Sequence, residues 1–177
     1  MPRLFLLRHA KSSWATPGQQ DFDRPLNGRG RAAAPLIGRH LIEAGYAPQR
    51  VLCSPAARTR ETLEGIRPFL PEAVVIDHVR ALYEASVEGV FRVITEHAGD
   101  AADLMVIGHN PSIHMLALSL ARSGDAGLRA QLRTKYPTAA LSVIDLAGDS
   151  WSAIRPGGGT LIAFVTPAGL GLEGSDD

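Results

Sequence analysis

Apolar positions along this chain come in two patterns. Short unbroken runs such as Leu4-Phe5-Leu6-Leu7 and Leu104-Met105-Val106-Ile107 read as strands buried on both faces. Longer stretches repeat their apolar residues every three or four positions, as helices do. The pattern predicts strands at 3–8, 50–54, 73–77, 103–108, 139–146 and 160–166, and helices at 27–44, 56–68, 86–98 and 111–122. Asn27 is a cap for the first helix, and Gly45 sits where that helix should end. Pro35 inside it predicts a kink or a break, and Pro111 suits the first turn of the fourth helix. Strand and helix alternate, so the expected fold class is α/β: three layers, with helices flanking a mostly parallel sheet. Ala147-Gly148-Asp149 reads as a hairpin turn that adds an antiparallel pair.

Three of the apolar runs end in polar residues of one chemical kind. The first leads into Arg8-His9, the second, Val51-Leu52-Cys53-Ser54, leads toward Arg58, and the fourth leads into Gly108-His109-Asn110. Ligands bind at the carboxyl ends of parallel strands in an open α/β sheet. Neutral imidazole can attack phosphorus, and the guanidinium fork matches phosphate oxygens. A strand-loop-helix junction adds backbone N–H groups. Two histidines and two arginines gathered there suit phosphoryl transfer.

Composition narrows the picture further. The chain has 177 residues, 45% of them hydrophobic and 20% charged, as expected of one globular domain. We expect a single domain over 1–166 and a flexible, Gly-rich, acidic tail over 167–177. One cysteine cannot form an intrachain disulfide and suits a reducing compartment. No apolar run approaches membrane-spanning length, so the expected location is the cytoplasm, with no membrane partner. Net charge is zero, but residues 1–60 hold ten Lys/Arg against three Asp/Glu, while the remainder hold eight against fifteen. That asymmetry reads either as chance or as a cationic pocket for a small anion. No dense basic run is present and aromatics are 6%, which argues against a nucleic-acid partner.

Four segments together resemble the histidine phosphatase (phosphoglycerate mutase-like) superfamily. Leu7-Arg8-His9-Ala10-Lys11-Ser12-Ser13-Trp14 resembles its opening Arg-His-Gly motif. Asp23-Arg24-Pro25-Leu26-Asn27-Gly28-Arg29-Gly30 resembles the following RPL segment. Ser54-Pro55-Ala56-Ala57-Arg58-Thr59-Arg60-Glu61-Thr62 and Gly108-His109-Asn110-Pro111 resemble the second-arginine and second-histidine motifs. The matches fall in family order over most of the chain, and their wording is most similar to the SixA-like phosphohistidine phosphatase branch.

The resemblance implies a phosphoglycerate mutase-like fold and a metal-independent phosphatase without a cofactor. His9 is implied as the nucleophile that becomes phosphohistidine. Arg8 and Arg58 are implied as ligands of the phosphoryl oxygens, with His109 donating a hydrogen bond to the transferring group. Ser12 is implied as a further phosphate contact. Arg24 either orients the first loop or substrate, or forms a structural ion pair. Ala10 stands where the family has Gly, and Ala15 where many members have Asn. Relatives that cleave phosphate esters often use a Glu as general acid; Glu84 is the candidate here, against the reading of a solvated residue before a helix. The implied partner is a phosphorylated protein, such as a histidine phosphotransfer domain, or else a small phosphate ester.

Leaving-group chemistry favours the first of these. An alkoxide needs a proton to leave, whereas imidazole can be protonated on its distal nitrogen near neutral pH. Only 50 residues separate Arg58 from His109, which leaves no room for a long lid. An open site suits phosphate displayed on a protein better than a small metabolite that needs enclosure. Hydrolysis of small phosphomonoesters and non-catalytic phosphate binding stand as the alternatives.

Other chemistries fit less well. Cysteine-dependent phosphatases space their residues Cys-x5-Arg, and here Cys53 and Arg58 give Cys-x4-Arg, so a buried thiol is expected. His109 and His114 lack the i, i+4 spacing of a helical metal pair. Asp21 and Asp23 would repel a phosphate and read as loop or cap residues. Trp14 and Tyr83 flank motif residues and either line the mouth of the site or, as is expected first, pack in loop or core.

Overall fold

The computed structural model describes residues 1–172. Its elements are β1 (Arg3–Arg8), α1 (Gly28–Glu43), β2 (Arg50–Cys53), α2 (Ala57–Ile66), β3 (Val75–His78), α3 (Val87–His97), β4 (Asp103–Gly108), α4 (Ser112–Leu120), β5 (Ala121–Gly124), α5 (Ala126–Thr134), β6 (Leu141–Leu146) and β7 (Gly159–Val165). The seven strands form one sheet in the order β3-β2-β4-β1-β6-β7-β5. Pairing is parallel from β3 through β1 and again between β5 and β7; β6 alone runs antiparallel to both neighbours.

Alternation along the central strands gives the sheet two buried faces. Leu4, Leu6, Leu52, Leu104 and Val106 point into one core with Val90, Ile94, Leu116 and Leu120 of α3 and α4. Phe5, Leu7, Val51, Met105 and Ile107 point into the other with Ala33, Ile37, Leu63 and Ile66 of α1 and α2. This is the expected three-layer α/β/α arrangement.

Most predicted elements are present within a few residues, and the differences have local causes. The helix expected over 111–122 stops at Leu120, and Ala121 turns into the short strand β5. β5 and α5 carry little apolar signal: β5 buries only Ala121 and α5 only Leu132. Pro35 does not break α1, which runs unbroken from Gly28 to Glu43. Burial of Ala33, Ala34, Ile37 and Leu41 on both sides of the proline holds the helix together across the lost N–H. β6 and β7 do pair antiparallel, but residues 147–158 join them, not a tight turn. Within that connection Trp151 is buried and its Nε1 donates to the Ala101 carbonyl at 2.6 Å. At the chain end, Ala168–Leu170 form a short 3-10 turn, and Leu170 and Leu172 pack against the α1–α2 core. Residues 173–177, the rest of the expected tail, lie outside the described residues. Among the described residues no helix is long and apolar enough to cross a membrane.

Candidate active site

Register brings the motifs together. Arg8 on β1 pairs with Gly108 on β4, and Cys53 on β2 pairs with Ile107, so three neighbouring strands end at one level. The ladder continues one step further: the His9 amide donates to the Gly108 carbonyl (3.0 Å) and the Ser54 amide to the Ile107 carbonyl (3.0 Å). Asn27 caps α1 as expected, accepting from the Gly30 amide at 2.9 Å. A Cβ at Gly30 would lie 2.1 Å from the Lys11 carbonyl oxygen, so only glycine lets α1 lie against the backbone that follows His9. The Thr62 hydroxyl ties the same backbone to α2, accepting from the Ala10 amide (2.9 Å) and donating to the Arg58 carbonyl (2.7 Å).

His9 and His109 face each other with ring centroids 5.4 Å apart. Nδ1 of His9 lies 2.8 Å from the Ala10 carbonyl oxygen. A carbonyl only accepts, so Nδ1 carries the hydrogen and, in the neutral ring, Nε2 keeps its lone pair. Burial chiefly lowers the His9 pKa to about 3, aided by His109, Arg8 and Arg58 and opposed by the Ala10 hydrogen bond. His109 is lowered to about 4, by burial first and then by Arg58 and Arg8, while Asp21 acts the other way. Nε2 of His109 lies 2.7 Å from Ser54 Oγ, and its Nδ1 is buried without a partner among the described residues.

The arginines are held firmly. Arg8 Nη1 donates to the Tyr136 carbonyl (3.0 Å), which also accepts from Asn110 Nδ2 (3.0 Å). Arg58 is 7% exposed, and its two terminal nitrogens donate to Asp21, to the carbonyl at 2.7 Å and to Oδ2 at 3.0 Å. Arg24 is equally occupied, donating to Asp21 Oδ1 (2.9 Å), Ser12 Oγ (2.5 Å) and the Ser13 carbonyl (3.1 Å). Trp14, 78% exposed, lies with its ring 3.2 Å from the Arg24 guanidinium carbon. Ser12 and Arg24 thus engage each other next to the site.

The structure therefore gathers Arg8, His9, Arg58 and His109, with Ser12 and Arg24 braced in the adjoining loop. Glu84 stands apart: it is exposed, adopts φ 58°, and makes no hydrogen bond or ion pair among the described residues. Its neighbour Tyr83 turns inward instead. The Tyr83 ring meets His109 edge-on at 5.6 Å, and its hydroxyl donates to Asp21 Oδ2 at 2.7 Å. Cys53 points into the α1–α2 core, donates to the Ser54 carbonyl, and is raised by burial to about 12, which removes it as a thiolate nucleophile. His114 Nε2 donates to the Leu132 carbonyl and does not join His109. Among the described residues no group of three or more His, Cys, Asp or Glu is placed to hold a metal ion.

Sequence reasoning missed Ser54, read Asp21 only as a loop or cap residue, and gave Tyr83 the mouth of the site only as the second reading. For Asp21 a signal existed, namely its i, i+3 spacing to Arg24. Ser54 opens the second-arginine motif and reveals its contact with His109 only through register. Tyr136, which joins Arg8 to Asn110, carries no local signal at all.

Comparisons with known proteins bear on the family and the fold. A model of the histidine phosphatase superfamily (branch 1) matches residues 4–90. An uncharacterised protein of Mycobacterium tuberculosis is 36% identical over 163 residues, covering 91% of this chain and 99% of its own. The crystal structure of a protein from Agrobacterium tumefaciens, provisionally named phosphohistidine phosphatase SixA, is 32% identical with a TM-score of 0.76, covering 94% of this chain and 99% of its own. A protein histidine phosphatase SixA, solved with tungstate, shares the fold at 23% identity, with a TM-score of 0.74 over 95% of this chain and 99% of its own.

Proposed function

The chain belongs to the histidine phosphatase superfamily, in its SixA-like branch, and from that premise we propose that it is a metal-independent phosphatase that removes phosphate from phosphohistidine on a protein. The observation that carries the reading is the His9 hydrogen bond. With Nδ1–H spent on the Ala10 carbonyl, Nε2 is a bare nucleophile held in the neutral form. Nε2 attacks phosphorus as the bond to the leaving nitrogen breaks, and the leaving imidazole takes a proton on its ring. Arg8 and Arg58 neutralise charge on the phosphoryl oxygens. His109 has a buried Nδ1 with no partner among the described residues, and a hydrogen there suits donation to the same oxygens. Water then attacks phospho-His9, releasing phosphate and restoring the imidazole.

The substrate class follows from the acid that this arrangement does not hold in place. Burial would raise the Asp21 carboxyl, but hydrogen bonds from Tyr83, Arg24 and Arg58 outweigh it and hold the group well below the usual carboxylate range. It stays ionised and has no proton to give an alkoxide. Glu84 hangs in solvent away from hydrogen-bonding partners. Imidazole is the leaving group that tolerates both facts, since it accepts its proton from water near neutral pH. The stretch between Arg58 and His109 is taken up largely by α2, β3, α3 and β4, which supports the reading that no long lid encloses a small substrate there. The buried free thiol of Cys53 fits a reducing compartment, the cytoplasm.

The test compares phosphate release from a phosphohistidine-bearing protein with release from a phosphate ester with an alkyl leaving group, whose alkoxide needs a proton to leave. Fast release from the first and little from the second is expected. The reverse order would assign the enzyme to small phosphate esters, and release from neither would leave a phosphate-binding module.

A further inference from the structure

We infer that Asp21 is a positioning residue for Arg58, fixing its guanidinium so that one edge faces the phosphoryl group. This rests on the phosphatase reading of the site, though not on the identity of the leaving group. A carboxylate beside a phosphate pocket ordinarily repels its ligand. The hydrogen bonds show how that conflict is avoided. A guanidinium presents two bidentate edges, one made by its two terminal nitrogens and one that includes Nε. Asp21 takes the terminal nitrogens, one on its carbonyl at 2.7 Å and the other on Oδ2 at 3.0 Å. Nε is left buried with no partner among the described residues. A buried donor of this kind is costly unless something pairs with it, and in this site the phosphoryl oxygen is the acceptor it suits. Asp21 therefore occupies the outer edge and reserves the inner one.

Asp21 is itself held from two further directions. Oδ1 receives Arg24 at 2.9 Å, and Arg24 is clamped by Ser12, the Ser13 carbonyl and the Trp14 ring. Oδ2 receives the Tyr83 hydroxyl at 2.7 Å, and the Tyr83 ring lies edge-on to His109. One carboxylate thus links the first loop to an arginine and a histidine of the site. Two arginines and a hydroxyl offset its charge, so little repulsion is left for an incoming anion.

A double-mutant cycle separates positioning from mere support of the loop. Tungstate affinity, and kcat and KM on the faster of the two substrates above, are measured for wild type, Asp21→Ala, Arg58→Ala and the pair. Asp21→Ala should weaken tungstate roughly tenfold and lower kcat/KM by about 10- to 100-fold, the scale expected when a charge-assisted hydrogen bond to phosphate is misaligned. In the Arg58→Ala background the same change should cost less than about twofold, because the arginine it positions is gone. Asp21→Asn, which keeps an acceptor for Tyr83 and Arg58, should fall between, and it stands in if the alanine variant fails to fold. Equal losses in both backgrounds would overturn the inference, as would unchanged or tighter tungstate binding by Asp21→Ala, which would make Asp21 a competitor of the anion. If wild type bound no tungstate and released no phosphate from either substrate, the phosphatase reading itself would fail.

Discussion

On the floor of the site, His9, Arg58 and His109 are each less than a tenth exposed. Their backbones continue the sheet ladder or open a helix packed on it. On the rim, the Asp21 side chain is 46% exposed, Trp14 is 78% exposed, and Glu84 lies in solvent at a positive φ. The floor places its groups by strand register, which tolerates no sliding. The rim is placed by side-chain pairs within a loop. We expect the transfer chemistry to belong to the floor, and discrimination among leaving groups and partners to the rim. Variants on the two levels should therefore fail differently.

The largest effect is expected at the centre of the floor. His9→Asn removes the bare Nε2 and should cut phosphate release by roughly 10⁴-fold or more, as loss of a nucleophile does elsewhere. Tungstate binding should persist, since Arg8 and Arg58 remain. The measurement is initial-rate phosphate release beside tungstate titration. Activity within tenfold of wild type would move the nucleophile elsewhere and dissolve the distinction between floor and rim.

The floor was the legible part of the sequence. Arg8, His9 and His109 stand at or just after the ends of apolar runs and Arg58 on the helix that follows one, and the resemblance of these segments to a known family singled them out. Central strands and the first three helices were equally readable, because burial on a full face leaves a strong periodicity. β5 and α5 were not, since one buried residue each gives no pattern. The rim was misread for a related reason. Asp21 looked like a poor neighbour for phosphate because a sequence shows charge but not which edge of an arginine it meets. Ser54 and Tyr83 reach His109 only through the fold, across 55 and 26 positions of chain. Glu84 drew attention by its place in order along the chain, yet its side chain is in solvent.

An intermediate effect separates the two levels by pH. His9 and His109 titrate near 6.5 when unfolded and at about 3 and about 4 when folded. Between those values the unfolded chain binds more protons, so stability is fully present above pH 6.5 and falls as pH drops toward 4. Asp21 is also depressed, so its contribution is kept above its ordinary value of 3.8 and is lost only below that. Urea midpoints taken from pH 7 down should decline first through the histidines, and His9→Asn should flatten that decline. An Asp21→Asn variant should keep it. A wild-type midpoint that does not change between pH 7 and 4.5 would mean the histidines are not buried as described.

The smallest effect is expected at Glu84, and it decides which substrate the rim serves. A general acid must lie within hydrogen-bond reach of the leaving atom and hold a proton at working pH. Glu84 is exposed, its backbone turns through a positive φ, and the inward position beside His109 belongs to Tyr83. Glu84→Gln should therefore change kcat/KM by less than about threefold with phosphohistidine protein, within the range of an ordinary surface change. The same variant on p-nitrophenyl phosphate would be a weak probe, because nitrophenolate leaves without help. A phosphate ester with an alkyl leaving group is the sharper choice, since alkoxide needs the proton. If Glu84→Gln lowered turnover of that ester about 100-fold and removed the basic limb of its pH profile, Glu84 would be a working acid drawn in by substrate. The rim would then serve small phosphate esters. Parallel, near-unchanged rates on both substrates would leave imidazole as the leaving group this site is built to release.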